Sequence, residues 1–551
     1  MLLDASDVPR NGTVECRVCI VGAGPAGVSI ALSLPDVDVV LLESGGRRLE
    51  RATQNLYRGE VADRNQHHPL HLFRRRVLGG TSSVWGGRCV PLDTIDFQRR
   101  DYVPHSGWPI TKADLDPFYA RANELCEAGP FAYEADDGLP SGRAEMIQGF
   151  DGEDVVSRQL ERWSVPTDFG KRYLPTLKRS GSVRLILHAN CTGIQLDEHG
   201  RSVAHLTVSS IAGHAFRVRA RCYILAAGGL ESTRLLLASR DVQGSGIGNH
   251  SDKLGRFYMS HLVGATSVVR VSPGRAVFQG FERDASGVYC RRRMWITEAA
   301  QKRHQILNFI AYFHRPRESD PAHRSGALSL LHIMKSLRIW ARQGDLTTLP
   351  SGLRREDLQG HLRNLVFDAP GLARISSHWL RGRVFARRKL PILLFPHSSA
   401  TTAYTLKFWA EQSPDPSSVV TLGTEKDQFG MPRLRVEWRF NEADVRSVVA
   451  AHRLIGDQLR RSGSGRLECY EPDVGSAVRD QIDASAHHIG TTRMSRAMQE
   501  GVVDENCRVH GVENLYVASS SVFPTSGHAN PTLTVLALAL RLAGQIRLRG
   551  D

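Results

Sequence analysis

Apolar positions near the start of the chain fall in short blocks. Val18 to Val21 is a continuous apolar run and Val37 to Leu42 an apolar stretch interrupted only by Asp38, the pattern of strands covered on both faces in a parallel sheet. Between them, Ala26 to Leu34 reads as helix. The unit VECRVCIVGAGPAGVSIALSLPDVDVVLLESGG, Val14 to Gly46, therefore predicts strand, helix, strand. A second unit, RCYILAAGGLESTRLLL (221 to 237), predicts strand, turn and helix. The third closes the chain: a strand over Leu515 to Ala518, a polar turn around Pro524 to Gly527, and a helix after Pro531. Proline suits a first helical position because it has no N–H to leave unpaired. No internal repeat or low-complexity tract interrupts these units.

Between the first strand and helix lies Gly22-x-Gly24-x-x-Gly27. The first glycine permits a tight turn, the second lets a pyrophosphate approach the backbone, and the third lets helix pack on strand. The phosphates then meet the positive end of the helix, at Ala26 and Gly27. Glu43 closes the second strand, 21 residues after Gly22, where a carboxylate can accept both ribose hydroxyls. Together these features predict a dinucleotide site and leave NAD and FAD open.

With 551 residues, 41% hydrophobic and 23% charged, the chain has material for two domains. No run reaches the roughly 20 apolar residues that span a bilayer. The start, MLLDASDVPRNG, lacks the basic flank and apolar run of a signal peptide, so the expected location is cytoplasmic. Nine cysteines scattered from Cys16 to Cys507 do not form a disulfide framework. Cys16 and Cys19 make a CxxC without a second pair, and read as small apolar strand residues. No metal site is expected.

The formal charge of +14 would suit nucleic acid, a membrane surface or an acidic ligand. Much of the excess lies between residues 280 and 400, in CRRRMW (290 to 295), SLRIWARQ (336 to 343) and RGRVFARRKLPILLFP (381 to 396). These read first as solvated faces, with a peripheral contact to anionic lipid as the second reading. No nucleic-acid motif is present, so no nucleic-acid partner is expected.

Three further stretches carry a family resemblance: LGGTSSVWGG (78 to 87), GNHSDKLGRFYMSH (248 to 261) and VVDENCRVHGVENLYVASSSVFPTSGHANPTLTVLALALR (502 to 541). With the N-terminal unit and HHIGTTRM (487 to 494), this ordered set resembles the glucose-methanol-choline (GMC) flavoprotein oxidoreductases, in particular their pyranose-oxidase-like sugar and glycoside branch. The resemblance runs over roughly residues 15 to 265 and 410 to 545. It implies an α/β fold, α+β overall: a Rossmann-like FAD-binding domain and a substrate domain built on an antiparallel sheet with helices. The expected division is 1–90, 180–265 and 480–551 for FAD, and 91–179 and 266–479 for substrate. Strands such as SVVTLGTE (418 to 425) and PRLRVEWRF (432 to 440) are expected in that antiparallel sheet, roofing the substrate cavity.

The resemblance also implies a site. FAD is expected on Gly22, Gly24, Ala26, Gly27, Glu43, Ser44, Gly80, Thr81, Ser82, Val84, Trp85, Ala227, Ser519, Pro531 and Thr532. The family's His-x-x-Gly places its base on His487; its partner, a histidine or asparagine before a proline, falls on Asn530. A neutral imidazole can take the O–H proton of an alcohol while the C–H leaves as hydride to flavin N5. His488 is expected to pack, and His528 is a weaker candidate.

The chain departs from the family where Ser519 replaces a common Asp and Ser495 a common Gly. Val84 stands where covalently flavinylated relatives carry a histidine, so FAD is expected to be noncovalent. The implied reaction is oxidation of a CH–OH group of a sugar, glycoside or polyol, with O2, a quinone or a redox protein as acceptor. Three alternatives remain open: a GMC-type lyase, an oxidase of a non-sugar alcohol, and a basic membrane-surface assembly protein with a vestigial flavin site.

Overall fold

The structure, a computed structural model, describes the chain except residues 141–144, 315, 317, 344–354, 387–389, 392–402, 482, 485, 550 and 551. The apolar blocks of the N-terminal unit become the strands Thr13–Val21 and Val39–Leu42, flanking the helix Pro25–Leu32. They lie inside an eight-stranded sheet ordered Leu2–Asp4, Val183–Leu187, Val39–Leu42, Thr13–Val21, Ala215–Leu225, Val203–Ser209, Asn190–Leu196. The first five strands pair in parallel, and the last two turn antiparallel. Ala215–Leu225 is long enough to serve two neighbours along one edge: Val203–Ser209 pairs with its start, and the closing strand Leu515–Val517 with its end, in parallel. Val18, Ile20, Val39 and Leu41 are fully buried, as strands covered on both faces require. The helix Pro25–Leu32 packs on the last helix, Thr532–Arg549.

A second, nine-stranded sheet is antiparallel throughout. Its main path runs Gly465–Cys469, Leu262–Val271, Ala403–Ala410, Phe309–His314, Tyr289–Ile296, Val155–Trp163, Arg88–Cys89. The helix Glu442–Arg461 packs beside it on a separate apolar core.

Two expectations need correcting here. SVVTLGTE and PRLRVEWRF do form antiparallel strands, Val419–Lys426 and Pro432–Glu437, but they belong to a separate three-stranded sheet completed by Glu60–Val61. The tight turn at Asp427 to Gly430 closes them on each other as a hairpin. Local alternation specifies that hairpin but not the sheet it joins. Nor is CRRRMW a solvated face. Arg291, Arg292 and Arg293 lie within Tyr289–Ile296, between two sheet neighbours, and are 3%, 2% and 2% exposed. Parts of the third basic stretch, 387–389 and 392–396, lie outside the described residues.

All nine cysteines are free thiols, with Cys19 buried and Cys16 half-buried. Among the described residues no helix is long and apolar enough to cross a membrane.

Candidate active site

A cavity of about 750 Å³ runs between the two larger sheets and reaches the helix start at Gly24. At one end it is lined by Gly22, Gly24, Ala26, Glu43 and Ser44, and by Asn190 and Thr192 from the strand Asn190–Leu196. At the other end stand Trp85, Arg88, His487 and Asn530. Gly80, Thr81, Ser82, Val84, Ala227, Ser519, Pro531 and Thr532 also line it.

Gly27 alone of the expected cofactor residues is not at the cavity wall. A Cβ there would stand 2.0 Å from the Gly22 carbonyl oxygen, so its role is close packing of helix on strand. Pro531 sits one residue earlier than expected. The helix begins at Thr532, and the Pro531 carbonyl accepts from Val535 N at 2.9 Å. That is a cap position, which asks nothing of the missing proline N–H.

Glu43 is buried. Its carboxylate accepts from Ala23 N at 3.1 Å and Gly45 N at 2.8 Å. Burial raises its pKa, against those two N–H groups and the Arg76 charge. Arg75 and Arg76 also line the cavity, and each buries an Nε without a hydrogen-bond partner. Open space lies where a Gly24 Cβ would project. A long cavity with a carboxylate at one end, an open helix start and arginine donors fits a dinucleotide, whose phosphates need donors and whose ribose needs an acceptor. The residues present therefore fit FAD.

The end at His487 is assembled from four distant segments. His487 Nε2 lies 3.2 Å from Asn530 Nδ2, and Arg88 donates from Nη1 to Asn530 Oδ1. On its other side, His487 Nδ1 is 2.8 Å from His261 Nδ1. An isolated antiparallel bridge between Met259 and Ile489 sets this contact, with N···O distances of 2.9 and 3.1 Å. In that register, residue 261 falls opposite residue 487. Gly490 makes the approach possible: its φ is +91°, and a Cβ would meet the Phe257 carbonyl oxygen at 2.2 Å. Trp409 closes the group, its ring 5.6 Å from each of His261 and His487, with the Arg88 guanidinium 5.0 Å from its centre.

Burial, reinforced by the Arg88 charge, lowers the His487 pKa to about 3, so the imidazole is neutral. Behind Arg88, Glu161 is fully buried and accepts from both Arg88 and Arg291. Arg291 is its cross-strand neighbour in the sheet. Burial alone would raise the Glu161 carboxyl, but Arg291 and Arg88 outweigh it and hold the group at about 2.

His488 stands among other partners. Its ring stacks on Tyr258, with centroids 6.2 Å apart, and Tyr258 Oη is 2.8 Å from His67 Nε2. It still touches the cavity wall. His528 is fully buried away from that wall. Its Nε2 lies 2.9 Å from Asp93 Oδ2 and 3.1 Å from Arg293 Nη1. Burial and Arg293, against Asp93, hold its pKa at about 4.

The sequence reading missed His261, Arg88, Glu161 and Trp409. His261 ends the quoted stretch GNHSDKLGRFYMSH, but its role depends on a pairing across more than two hundred residues. Among the described residues no cluster of histidine, cysteine or carboxylate side chains could hold a metal ion.

Residues 414–539 match the family model described as GMC oxidoreductase. The chain is similar to 6'''-hydroxyparomomycin C oxidase of Streptomyces lividus, 24% identical over 96% of this chain and 91% of that one. It is also similar to the fructose dehydrogenase large subunit of Gluconobacter japonicus, 25% identical over 97% and 98%. Pyridoxine 4-oxidase from Mesorbium loti shares the fold, with a TM-score of 0.53 and 19% identity over 97% of this chain and 99% of that structure. The C-terminal segment thus resembles that of a GMC oxidoreductase, and the α/β fold is shared with a solved structure along nearly the whole chain.

Proposed function

We propose that this protein is an FAD-dependent oxidoreductase that converts a CH–OH group of a sugar, glycoside or polyol to a carbonyl. His487 is the base and Asn530 its hydrogen-bonding partner. The observation that carries this reading is the pair itself: a neutral imidazole nitrogen and an amide donor 3.2 Å apart, at one end of a cavity whose other end carries Glu43. FAD bound in that cavity supplies the acceptor for the two electrons leaving carbon. Residues 1–90, 180–265 and 480–551 hold it in this reading, and 91–179 and 266–479 bound the substrate.

The chain's own residues handle the proton. At rest Asn530 Nδ2 donates to His487 Nε2; an entering hydroxyl takes over that donation at its oxygen, which frees the Nε2 lone pair to accept the hydroxyl proton as the carbonyl forms. Because the His487 pKa is about 3, the base is unprotonated and available at neutral pH. Trp409 packs against the His487 ring and keeps water from that side of it. The relatives named for 6'''-hydroxyparomomycin C and fructose support a hydroxylated carbohydrate as substrate. Oxygen, a quinone or a redox protein then removes the electrons, in the cytoplasm.

Val84 offers no nucleophilic atom in the loop, so FAD is held noncovalently through Gly22, Gly24, Glu43 and residues 80 to 85. Acid precipitation should release all yellow colour into the supernatant; colour in the pellet would overturn this point. Mixing the holoprotein anaerobically with a panel of sugars, glycosides and polyols tests the reaction. Bleaching of the visible band by at least one is expected. Retained colour with every alcohol would return the fold to lyase or non-redox use.

A further inference from the structure

The hydrogen bonds around the base form one directed chain, and its direction can be read from both ends. At one end, a guanidinium can only donate, so the atom of Asn530 that meets Arg88 Nη1 is the carbonyl oxygen. The Asn530 NH2 therefore faces His487 Nε2 and must donate to it. A neutral His487 that accepts at Nε2 carries its hydrogen on Nδ1, and that hydrogen points at His261 Nδ1, 2.8 Å away. At the other end, His261 Nε2 lies 3.4 Å from the Ser526 carbonyl oxygen, which can only accept. His261 therefore carries its hydrogen on Nε2 and offers a lone pair at Nδ1. Both deductions meet at the same contact with the same polarity. Reversing either histidine would set two hydrogens or two lone pairs face to face in a buried place, which is costly.

We propose that His261 is a positioning residue: it fixes the Nδ1–H tautomer of His487, so that the lone pair needed for proton abstraction stays at Nε2 on the cavity side. This rests on His487 being the base, and adds a residue to which neither the family resemblance nor the pairing with Asn530 assigns a role. His261 is fully buried and is not among the cavity-lining residues, so it acts through His487 and not on substrate. When His487 accepts the substrate proton at Nε2, its Nδ1–H already has an acceptor in His261, and the positive charge spreads over a ring whose both hydrogens are bonded. No atom moves between the rings in this step. Arg88 serves the same end from the other side, by holding the Asn530 amide in the one orientation that donates to His487.

Two measurements test this. In 15N spectra of histidine-labelled holoprotein, the His487 signal, assigned by its loss in His487→Asn, should show a protonated Nδ1 and an unprotonated Nε2. The opposite pattern overturns the proposal without touching the identity of the base. In parallel, His261→Phe removes the acceptor, whereas His261→Asn places an amide oxygen near the former Nδ1. With flavin content matched to the unaltered protein, substrate bleaching should slow roughly tenfold or more in His261→Phe, with kcat falling and KM little changed. His261→Asn should recover most of that loss. Equal rates in all three proteins, or equal loss in both variants, would refute the role of His261. An active His487→Ala protein would instead refute the base on which it rests.

Discussion

The two ends of the cavity are built in opposite ways. At the Glu43 end, one contiguous stretch from Gly22 to Glu43 supplies turn, helix start and carboxylate, and the carboxylate is fixed by main-chain N–H groups. At the His487 end, Arg88, His261, His487 and Asn530 come from four separate segments and are held by one another's side chains. Contiguous backbone tolerates a changed neighbour; a ring of side chains with one polarity does not.

Four outcomes would break or sharpen that contrast, taken from the largest expected effect. His487→Ala should keep its flavin and lose on the order of 10²-fold or more in anaerobic bleaching by substrate, whereas His488→Ala, packed on Tyr258, should lose much less. Similar losses in both would erase the distinction between the two histidines. Glu161→Ala leaves Arg88 and Arg291 buried without their shared carboxylate. Urea unfolding should register about 3–5 kcal/mol of lost stability, and a change under about 1 kcal/mol would show the network to be dispensable.

Gly27→Ala should cost about 1–3 kcal/mol and weaken flavin retention, because the new methyl group collides with the Gly22 carbonyl. Retention equal to the unaltered protein would show that this backbone can yield. The smallest effect is on pH. His67, His452 and His528 are held at about 4 and His487 at about 3, burial being the main cause in each. Unfolded, each titrates near about 6.5. Below that pH the unfolded chain binds more protons, so stability falls as pH falls from about 6.5 toward 4, by up to about 1.4 kcal/mol per histidine per pH unit. Melting temperatures across that range should show the slope. The bleaching rate itself should stay level between about pH 8 and 5, because the base remains neutral there; a steep drop near pH 6.5 would contradict the buried, neutral His487.

What could be read from the sequence follows the same divide. Gly22, Gly24 and Glu43 announce themselves because a turn, a helix start and a strand end are local events with fixed spacing. His487 and Asn530 were reached through motif resemblance, and the structure sets them together. His261 stood in a quoted motif, yet nothing near it in sequence says that residue 259 pairs with residue 489. CRRRMW was misread for a related reason. Three adjacent arginines suggest water, and only the fold reveals Glu161 opposite Arg291, Asp93 near Arg293 and Glu282 on Arg292. The apolar flanks Tyr289, Cys290 and Met294 were the available hint that this stretch is a core strand.

The Met259–Ile489 bridge has a practical meaning for recombining this chain with its relatives. In an antiparallel pair, residues 261 and 487 share one side and residues 260 and 488 the other. A single insertion between Gly255, whose N–H binds the Thr491 carbonyl, and Met259 would bring Ser260 opposite His487. Crossover points that take 255–261 from one parent and 487–491 from another therefore carry a silent hazard: both pieces can be intact, fold well and bind flavin, and still face each other one residue out of phase.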